Sequence, residues 1–359
     1  MSALLYQEAA RVIGICNSCR YCEGYCAMFP AMERRIDFAR EDLDYLANLC
    51  HQCGACYAAC QYAPPHQFAV NVPSVLAQVR LVSYESYAWP RFFAAAFRRQ
   101  PALIALTLAA SLTFFFALGI AWRSDGFFLA HVGEGSFYAI FPHNFLVTLF
   151  GLSFGFACVA LAVGAWRFWR EIEPPDQRVA SGATLAALKD AAALTYLEGG
   201  GEGCPESSTA PTQARRVFHH LTFYGFMFCL ASTSVASIYH YALGRIAPYA
   251  WSSVPVLLGV IGGVGLVIGP IGLLWLRTVK PAALYDPAQS SLDVGFTSLL
   301  LLIGLTGLLL LGARASAWMP SLLALHLGPV LALFLLLPYG KFVHGIYRTL
   351  ALVKYRRGY

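Results

Sequence analysis

The sequence predicts an all-α membrane protein, in which a helical N-terminal domain with eight cysteines precedes a bundle of six transmembrane helices. Two observations predict this fold class. Eight of the eleven cysteines fall between Cys16 and Cys60, in two runs of equal spacing. Beyond residue 100, six long segments contain no acidic residue, lysine or arginine. The composition agrees, since 58% of the residues are hydrophobic and 12% are charged, against about 25% charge in a soluble domain.

This composition excludes a disordered chain, a secreted disulfide-rich domain and an ordinary cytosolic enzyme. The net charge of +6 is modest, and we expect no nucleic-acid partner. Polarity changes near residue 90, which predicts a cysteine domain at 1–89 and a membrane domain at 90–359. The first fifteen residues include Glu8 and Arg11 and lack the pattern of a secretory signal, so we expect the cysteines to be cytoplasmic thiolates.

The two cysteine runs have the spacing of a bacterial ferredoxin, in which three thiolates wrap one [4Fe-4S] cubane and the fourth reaches the other cluster. The runs are Cys16-x-x-Cys19-x-x-Cys22-x-x-x-Cys26 and Cys50-x-x-Cys53-x-x-Cys56-x-x-x-Cys60. The predicted ligand sets are therefore Cys16, Cys19, Cys22 and Cys60 for one cluster, and Cys50, Cys53, Cys56 and Cys26 for the other. Zinc is the alternative, but structural zinc uses two CxxC pairs and leaves the third cysteine without a role. Between the runs, Met32–Leu49 is charged and helical in pattern, which indicates a helical ferredoxin-like domain.

The six uncharged segments are long enough to cross the hydrocarbon core, which needs about 20 residues, and lipid requires them to be helical. They are Pro101–Trp122, Gly135–Trp166, Val217–Gly244, Ile246–Leu276, Val294–Ala313 and Ala315–Gly340. Four prolines are expected to kink the fourth and sixth helices: Pro255, Pro270, Pro329 and Pro338.

Basic residues beside the helix ends predict the orientation. One side has Arg91, Arg98, Arg99, Arg167, Arg170, Arg178, Arg215, Arg216, Arg277, Lys280, Arg348, Lys354, Arg356 and Arg357. The other side has only Arg123, Arg245 and Arg314. We therefore expect a multi-pass protein of the inner (cytoplasmic) membrane with both termini in the cytoplasm. The cytoplasmic loop 167–216 is predicted to contain a helix at Ala183–Leu197 and then a flexible glycine-rich stretch, GGGEGCPESSTAPTQ.

Five histidines lie in or beside the apolar segments: His219, His220, His240, His326 and His344. Intramembrane ionisable groups indicate function, although a single histidine there often serves only to bond two helices. His326 and His344 are five helical turns apart and are expected to share one face. His240 is then expected to meet His326 near the outer surface, and His219 or His220 to meet His344 near the inner one. Each pair is a candidate bis-imidazole site for b-type haem, so we predict one or two haems.

Each of the remaining candidate histidines and cysteines has a structural interpretation as well as a functional one. His131 and His143 lie in an aromatic external loop that suits a quinone headgroup, or simply forms an aromatic membrane belt. His51 is either a hydrogen-bond donor to a cluster sulfur or a surface residue. Cys204 either contacts a partner protein or a cluster or, more simply, is a free loop thiol, and Cys158 and Cys229 are taken as small apolar residues. No nucleophile–base pair or dinucleotide fingerprint occurs, so we expect an electron-transfer subunit without substrate chemistry of its own.

The sequence resembles the membrane iron–sulfur proteins of tricarballylate utilisation, the TcuB or CitB type. The resemblance spans nearly the whole chain and rests on CNSCRYCEGYC, CHQCGACYAAC, YLEGGGEGCPE and RRVFHHLTFYGFMFCLASTSVASIYHYALG. Such proteins are similar to the membrane part of the CobZ fusion, a flavoprotein linked to cobalamin synthesis. The resemblance implies two [4Fe-4S] clusters, b-type haem and a separate, soluble FAD-dependent dehydrogenase. That partner would oxidise tricarballylate or a citrate-like acid, and this chain would pass the electrons to membrane quinone.

Three alternatives stay open at this point. The chain fits the membrane arm of a heterodisulfide-reductase-like complex, and it also fits a redox complex of cobalamin synthesis. From another class, a redox-sensing citrate transporter is disfavoured, because the membrane segments contain no acidic residue and no paired broken helices.

Overall fold

The computed structural model describes residues 2–173, 182–205 and 211–358. Arg178 and residues 206–210 of the predicted glycine-rich stretch lie outside the described residues. Within the described ranges the chain is helical and contains no β-strand, and one isolated backbone bridge joins Cys204 to Thr212. The prediction of an all-α fold is confirmed.

Five helices form the cysteine-bearing part: α1 (Ser2–Cys19), α2 (Met28–Glu33), α3 (Arg40–Leu49), α4 (Ala55–Ala58) and α5 (Val72–Tyr87). The single helix expected over residues 32–49 is thus two helices with a turn between them. In that turn Arg35 donates to the Ala31 carbonyl at 2.7 Å and pairs with Asp42. The start of α5 follows from its sequence, because the Asn71 side chain caps the backbone N–H of Ser74.

The rest of the described chain forms eight further helices. They are α6 (Gln100–Trp122), α7 (His143–Ile172), α8 (Ala183–Ala193), α9 (Ala214–Leu243), α10 (Val254–Val279), α11 (Pro287–Ala313), α12 (Met319–Leu336) and α13 (Val343–Arg356). A 3₁₀ segment, Arg91–Arg99, leads into α6. Six helical spans in the described chain are long and apolar enough to cross a membrane, the last formed by α12 and α13 together. The predicted six-helix membrane part is confirmed.

The boundaries of two predicted helices are corrected. The second begins at His143 and the fourth at Val254, each about eight residues later than expected, because Pro142 and Ser253 have extended backbones. Pro255 lies in the first turn of α10, a favourable position that starts the helix and does not kink it.

The sixth predicted helix breaks near Pro338, where α12 passes into a 3₁₀ turn, Leu337–Tyr339. Proline removes a helical N–H donor and clashes with the preceding turn, so α13 starts afresh at Val343. His326 therefore lies on α12 and His344 on α13. The expectation that these two histidines share one helical face is wrong.

Glycines bring α9 and α10 into close contact. A Cβ atom on Gly262 would lie 2.8 Å from the Gly225 carbonyl oxygen, and one on Gly265 would lie 2.8 Å from the Leu221 carbonyl oxygen. Small residues allow such backbone approach between membrane helices. Cys229 packs in this interface against Gly262, as expected for a small apolar residue.

The cysteine-bearing helices rest on one end of the bundle and share a hydrophobic core with it. Tyr84 and Tyr87 of α5 pack against Tyr347 of α13, with ring centroids 5.7 and 5.9 Å apart. Tyr87 also meets Phe168 at the end of α7. Helices α3 and α8 both contact α13 at this end, which places the cysteine-bearing part against the bundle.

Candidate metal centres

The first cysteine set lines an open cavity of about 250 Å³ at the surface of the cysteine domain. We call Cys16, Cys19, Cys22 and Cys60 the distal set, because the basic side chains that extend from the membrane helices bind the other cysteine run. All four are partly exposed. The other walls are mainly aromatic and apolar, and they include Tyr21, which is 68% exposed.

The second set, Cys26, Cys50, Cys53 and Cys56, lines a neighbouring and much narrower cavity of about 10 Å³. We call it the proximal set. Cys50 and Cys53 are buried, and His51 also forms part of the wall. Cys56 lines both cavities, so the two sets lie side by side.

The last cysteine of each run crosses to the other set. Cys60 lies near Cys16 and Cys22, where its charge acts on both thiols, and Cys26 lies near Cys50 and Cys53 in the same way. The fold therefore places the fourth cysteine of each run beside cysteines of the other run, and the exchange of cluster ligands stays a prediction. This placement follows from the local structure, because α1 ends at Cys19 and the next seven residues turn back over the second run.

Four of the eight thiols hold their protons tightly. Burial, together with the neighbouring thiols of the distal set, raises the pKa of Cys16 to about 12 and that of Cys22 to about 11. Burial likewise raises the pKa of Cys26 and Cys56 well above the usual thiol range. A soft metal must displace these protons, so binding couples to pH.

The donor chemistry of the two sets fits iron–sulfur clusters. Four thiolates are the usual ligands of a [4Fe-4S] cubane, and each set has four cysteines at its cavity. Among the described residues, no three His, Cys, Asp or Glu side chains converge to hold a single metal ion. The thiols thus surround cavities and do not converge on one point.

Cys204 is a ninth cysteine at this site. It is 1% exposed and packs with Cys53, Leu194 and Leu197. A hydrogen bond from Cys204, together with the charges of Lys280 and Arg215, lowers the pKa of the Cys53 thiol to about 6 against the opposing effect of burial. Cys204 is therefore a buried residue beside the proximal set and not an exposed thiol in a loop.

Glycines position the loop that carries Cys204. A Cβ atom on Gly199 would come within 3.2 Å of the Ala55 Cβ atom, and one on Gly203 within 2.4 Å of the Thr212 carbonyl oxygen. Both glycines have positive φ, of 58° and 105°, which other residues adopt only at a cost. The GGGEG segment thus closes over the proximal set.

Basic side chains bind the backbone carbonyls of the proximal run. Arg80 donates to the Cys50 carbonyl at 2.7 Å, and Arg348 of α13 donates to the same oxygen at 2.9 Å. Lys280, just after α10, donates to the Gln52 carbonyl at 2.9 Å and to the Cys53 carbonyl at 3.3 Å. Arg215 of α9 donates to the Gln52 carbonyl at 3.0 Å. We call Arg80, Arg215, Lys280 and Arg348 the basic cage.

Two of the predicted histidines meet beside the proximal set. The rings of His219 and His344 lie 6.1 Å apart between centroids. His344 Nδ1 pairs with the Lys341 carbonyl, which leaves Nε2 available to a metal. His219 Nδ1 is buried without a hydrogen-bond partner. His51 lines the proximal cavity and interacts electrostatically with His219, which in turn contacts His344 of the bundle.

The other predicted histidines have different neighbours. His240 stacks on His143, with ring centroids 3.9 Å apart, and does not pair with His326. His326 forms a hydrogen bond with Thr306 of α11 at 3.1 Å. The ring of His220 lies 5.7 Å from that of Tyr224. In the external loop, His131 bonds the Gly126 carbonyl at 2.8 Å.

Fold and site together define a membrane protein whose bundle of six apolar helical spans carries a ferredoxin-like cysteine domain on one end. Residues 9–86 match the Fer4-like domain of citrate utilization protein B, and residues 96–358 match citrate utilization protein B itself. The chain belongs to the citrate utilization protein B family. It is 51% identical to citrate utilization protein B of Escherichia coli over 356 residues, which is 98% of this chain and 93% of that protein. No solved structure is significantly similar to the chain.

The sequence-based analysis missed the basic cage, and it preferred a free loop thiol to a contact at the cluster site for Cys204. It counted Arg215, Lys280 and Arg348 only as basic residues that set membrane orientation. The motif CPE after a run of glycines was a usable signal for Cys204, because glycines with positive φ allow the close approach that buries a thiol.

Proposed function

We propose that this chain carries electrons from a soluble flavoprotein dehydrogenase to membrane quinone, through two [4Fe-4S] clusters and b-type haem. The partner dehydrogenase would act on tricarballylate or a citrate-like acid. The observation that carries the proposal is the continuous series of redox-ligand residues, from the distal set through the proximal set and His51 to His219 and His344. When bound, the clusters and haem would each accept and pass on one electron at a time.

The chain's own residues provide three functions in this proposal. The exposed Tyr21 and the open distal cavity offer the flavoprotein a place to dock. The GGGEG segment packs on Ala55 and Tyr25 beside the proximal set and would help to exclude water from it. His344, oriented by the Lys341 carbonyl, and His219, with its orphaned nitrogen, would hold one haem between them.

The first test is the cofactor content of the anaerobically purified protein. We expect about eight irons in clusters and a b-type signal in the dithionite-reduced minus oxidised spectrum, quantified as pyridine haemochrome. Far fewer irons would contradict the cluster assignment. A protein with clusters but no haem would contradict the haem step and leave electron transfer directly to quinone.

The second test compares His344→Ala with His240→Ala. The first variant removes a ring that faces His219 and is expected to abolish or strongly shift the haem spectrum. The second removes a ring that stacks on His143 and is expected to leave that spectrum unchanged. The reverse result would place the haem near the opposite end of the bundle.

A further inference from the structure

The two cysteine sets differ sharply in their electrostatic surroundings. Each member of the basic cage donates a hydrogen bond to a carbonyl of the proximal run, and Arg80 and Lys280 are 1% and 5% exposed. Burial in a medium of low polarity strengthens the field of these charges at the proximal set.

The distal set has no such surroundings. Among the described residues, no lysine or arginine lines either cavity, so the contrast lies in the buried basic side chains that bind the carbonyls of the proximal run. The nearest arginine in sequence, Arg20, is exposed and donates to the Asn17 carbonyl at 3.0 Å. Water screens an exposed charge far more than a buried one, so its effect on the distal set is small.

The residues beside the basic cage include one ion pair. Asp293 of α11 lies 2.6 Å from Lys341, a fifth basic residue of the region. Gln52, whose carbonyl oxygen accepts from Lys280 and Arg215, is uncharged. The cage brings four cationic side chains to the carbonyls of the proximal run, where a cluster that gains an electron becomes more negative.

We propose that the basic cage raises the reduction potential of the proximal centre, so that an electron on the distal centre passes to the membrane side. The inference rests on the proposed function, since it requires a cluster in each set. The distal centre is oxidised by one electron and the proximal centre is reduced by that electron. Net charge, hydrogen bonding and exposure set the potentials of such clusters, and the cage supplies positive charge at the proximal set alone.

The cage also explains why basic residues of three different membrane segments bind one short loop. Arg215 lies at the start of α9, Lys280 follows α10 and Arg348 lies in α13. Fixing the loop needs only hydrogen-bond donors, which neutral side chains can provide. Positive charge is the property that all four residues share, and it is the property that favours a reduced cluster.

The test is a potentiometric titration of the purified full-length protein, followed by electron paramagnetic resonance. Lys280→Gln removes one buried charge but keeps a donor group. We expect it to disfavour reduction of the proximal centre about tenfold, which is a fall of 59 mV for a one-electron couple. The distal midpoint is expected to stay unchanged. The signal that survives in Cys60→Ala identifies the proximal centre, because that variant removes a distal ligand.

Three further variants separate charge from structure. Lys280→Arg keeps the charge and is expected to keep the wild-type midpoint. Arg215→Gln removes a charge that a second helix supplies, and it is expected to lower the midpoint potential of the proximal centre in the same way. It replaces Lys280→Gln as the test if that variant fails to fold. Lys189→Gln removes an exposed lysine of α8 and is expected to change neither centre.

Two results would overturn the inference. Unchanged midpoints in both neutral variants, or equal shifts of both centres, would show that the cage does not set the difference, while the clusters and the proposed function stand. A wild-type protein without two clusters would overturn the proposed function together with the inference. The iron content of each sample distinguishes these cases.

Discussion

The thiol of Cys204 forms a hydrogen bond with the thiol of Cys53, although one lies in the loop after α8 and the other in the second cysteine run. Leu194 and Leu197 complete the buried cluster around them. Cys204 does not line either cysteine cavity. Cys204 therefore contacts Cys53, a candidate cluster ligand, and is not itself a candidate ligand.

The first prediction concerns this supporting role. Cys204→Ala removes the hydrogen bond to Cys53 but none of the eight ligands, so we expect both clusters to assemble with about eight irons. The loss of the buried contact should lower the stability by about 1 kcal/mol, measured by thermal unfolding. Cys53→Ala, the matched control, should lose about half the iron. A comparable loss of iron in Cys204→Ala would make Cys204 a ligand.

The second prediction tests the exchange of fourth ligands. Cys60 belongs to the second run in sequence but to the distal set in space. Cys60→Ala and Cys16→Ala should therefore leave the same surviving cluster, with the same electron paramagnetic resonance spectrum and about four irons. Cys50→Ala should leave the other cluster and a different spectrum. If Cys60→Ala matched Cys50→Ala, each run would hold its own cluster.

The cysteine sets were predictable because the spacing of ligands along the chain directly restricts how thiolates can surround a cubane. The membrane helices were predictable for a similar reason, since lipid excludes charge from long segments. The basic cage was not predictable. Arg215 and Lys280 reach the Gln52 carbonyl only because α9 and α10 end beside the cysteine loop, and that is a property of packing.

Helical periodicity alone was not sufficient to predict which histidines lie next to each other. The spacing of His326 and His344 implies a shared face only if one helix connects them, and the break near Pro338 removes that condition. The pairing of His219 with His344 was one of two inner pairings left open. Its selection depends on how α13 packs after the break, and the sequence pattern carries no direct signal for that.

The third prediction concerns Asp44, a fully buried carboxyl group between the cysteine domain and α7. Tyr6 and Tyr87 donate to its two oxygens at 2.7 and 3.0 Å. Burial raises the pKa of Asp44 from 3.8 to about 6, although both tyrosines and Arg40 lower it and Glu171 adds to the rise. The folded protein thus binds this proton more tightly than the unfolded chain does.

The sign of the pH dependence follows from that difference. The contribution of Asp44 is most favourable below the unfolded pKa of about 4, and stability falls as pH rises through about 6, by up to about 3 kcal/mol. We expect the melting temperature of the wild type to fall between pH 5 and pH 7 relative to that of Asp44→Asn. Tyr87→Phe removes one donor to the carboxylate and should move the change to higher pH. Parallel profiles for wild type and Asp44→Asn would contradict the prediction.

The fourth prediction tests the close contact of α9 and α10. A Cβ atom on Gly262 would lie 2.7 Å from the backbone nitrogen of Cys229 and 2.8 Å from the Gly225 carbonyl oxygen. Backbone atoms cannot rotate away, so Gly262→Ala must push the helices apart, at a cost of about 1–3 kcal/mol. Gly155→Ala on α7 is the matched control, because a Cβ atom there meets nothing within 4 Å and alanine favours the helix. Thermal unfolding in detergent should show a lower melting temperature for Gly262→Ala alone. Equal melting temperatures for the two variants would show that the α9–α10 interface tolerates separation, and that its glycines do not determine how closely these helices pack.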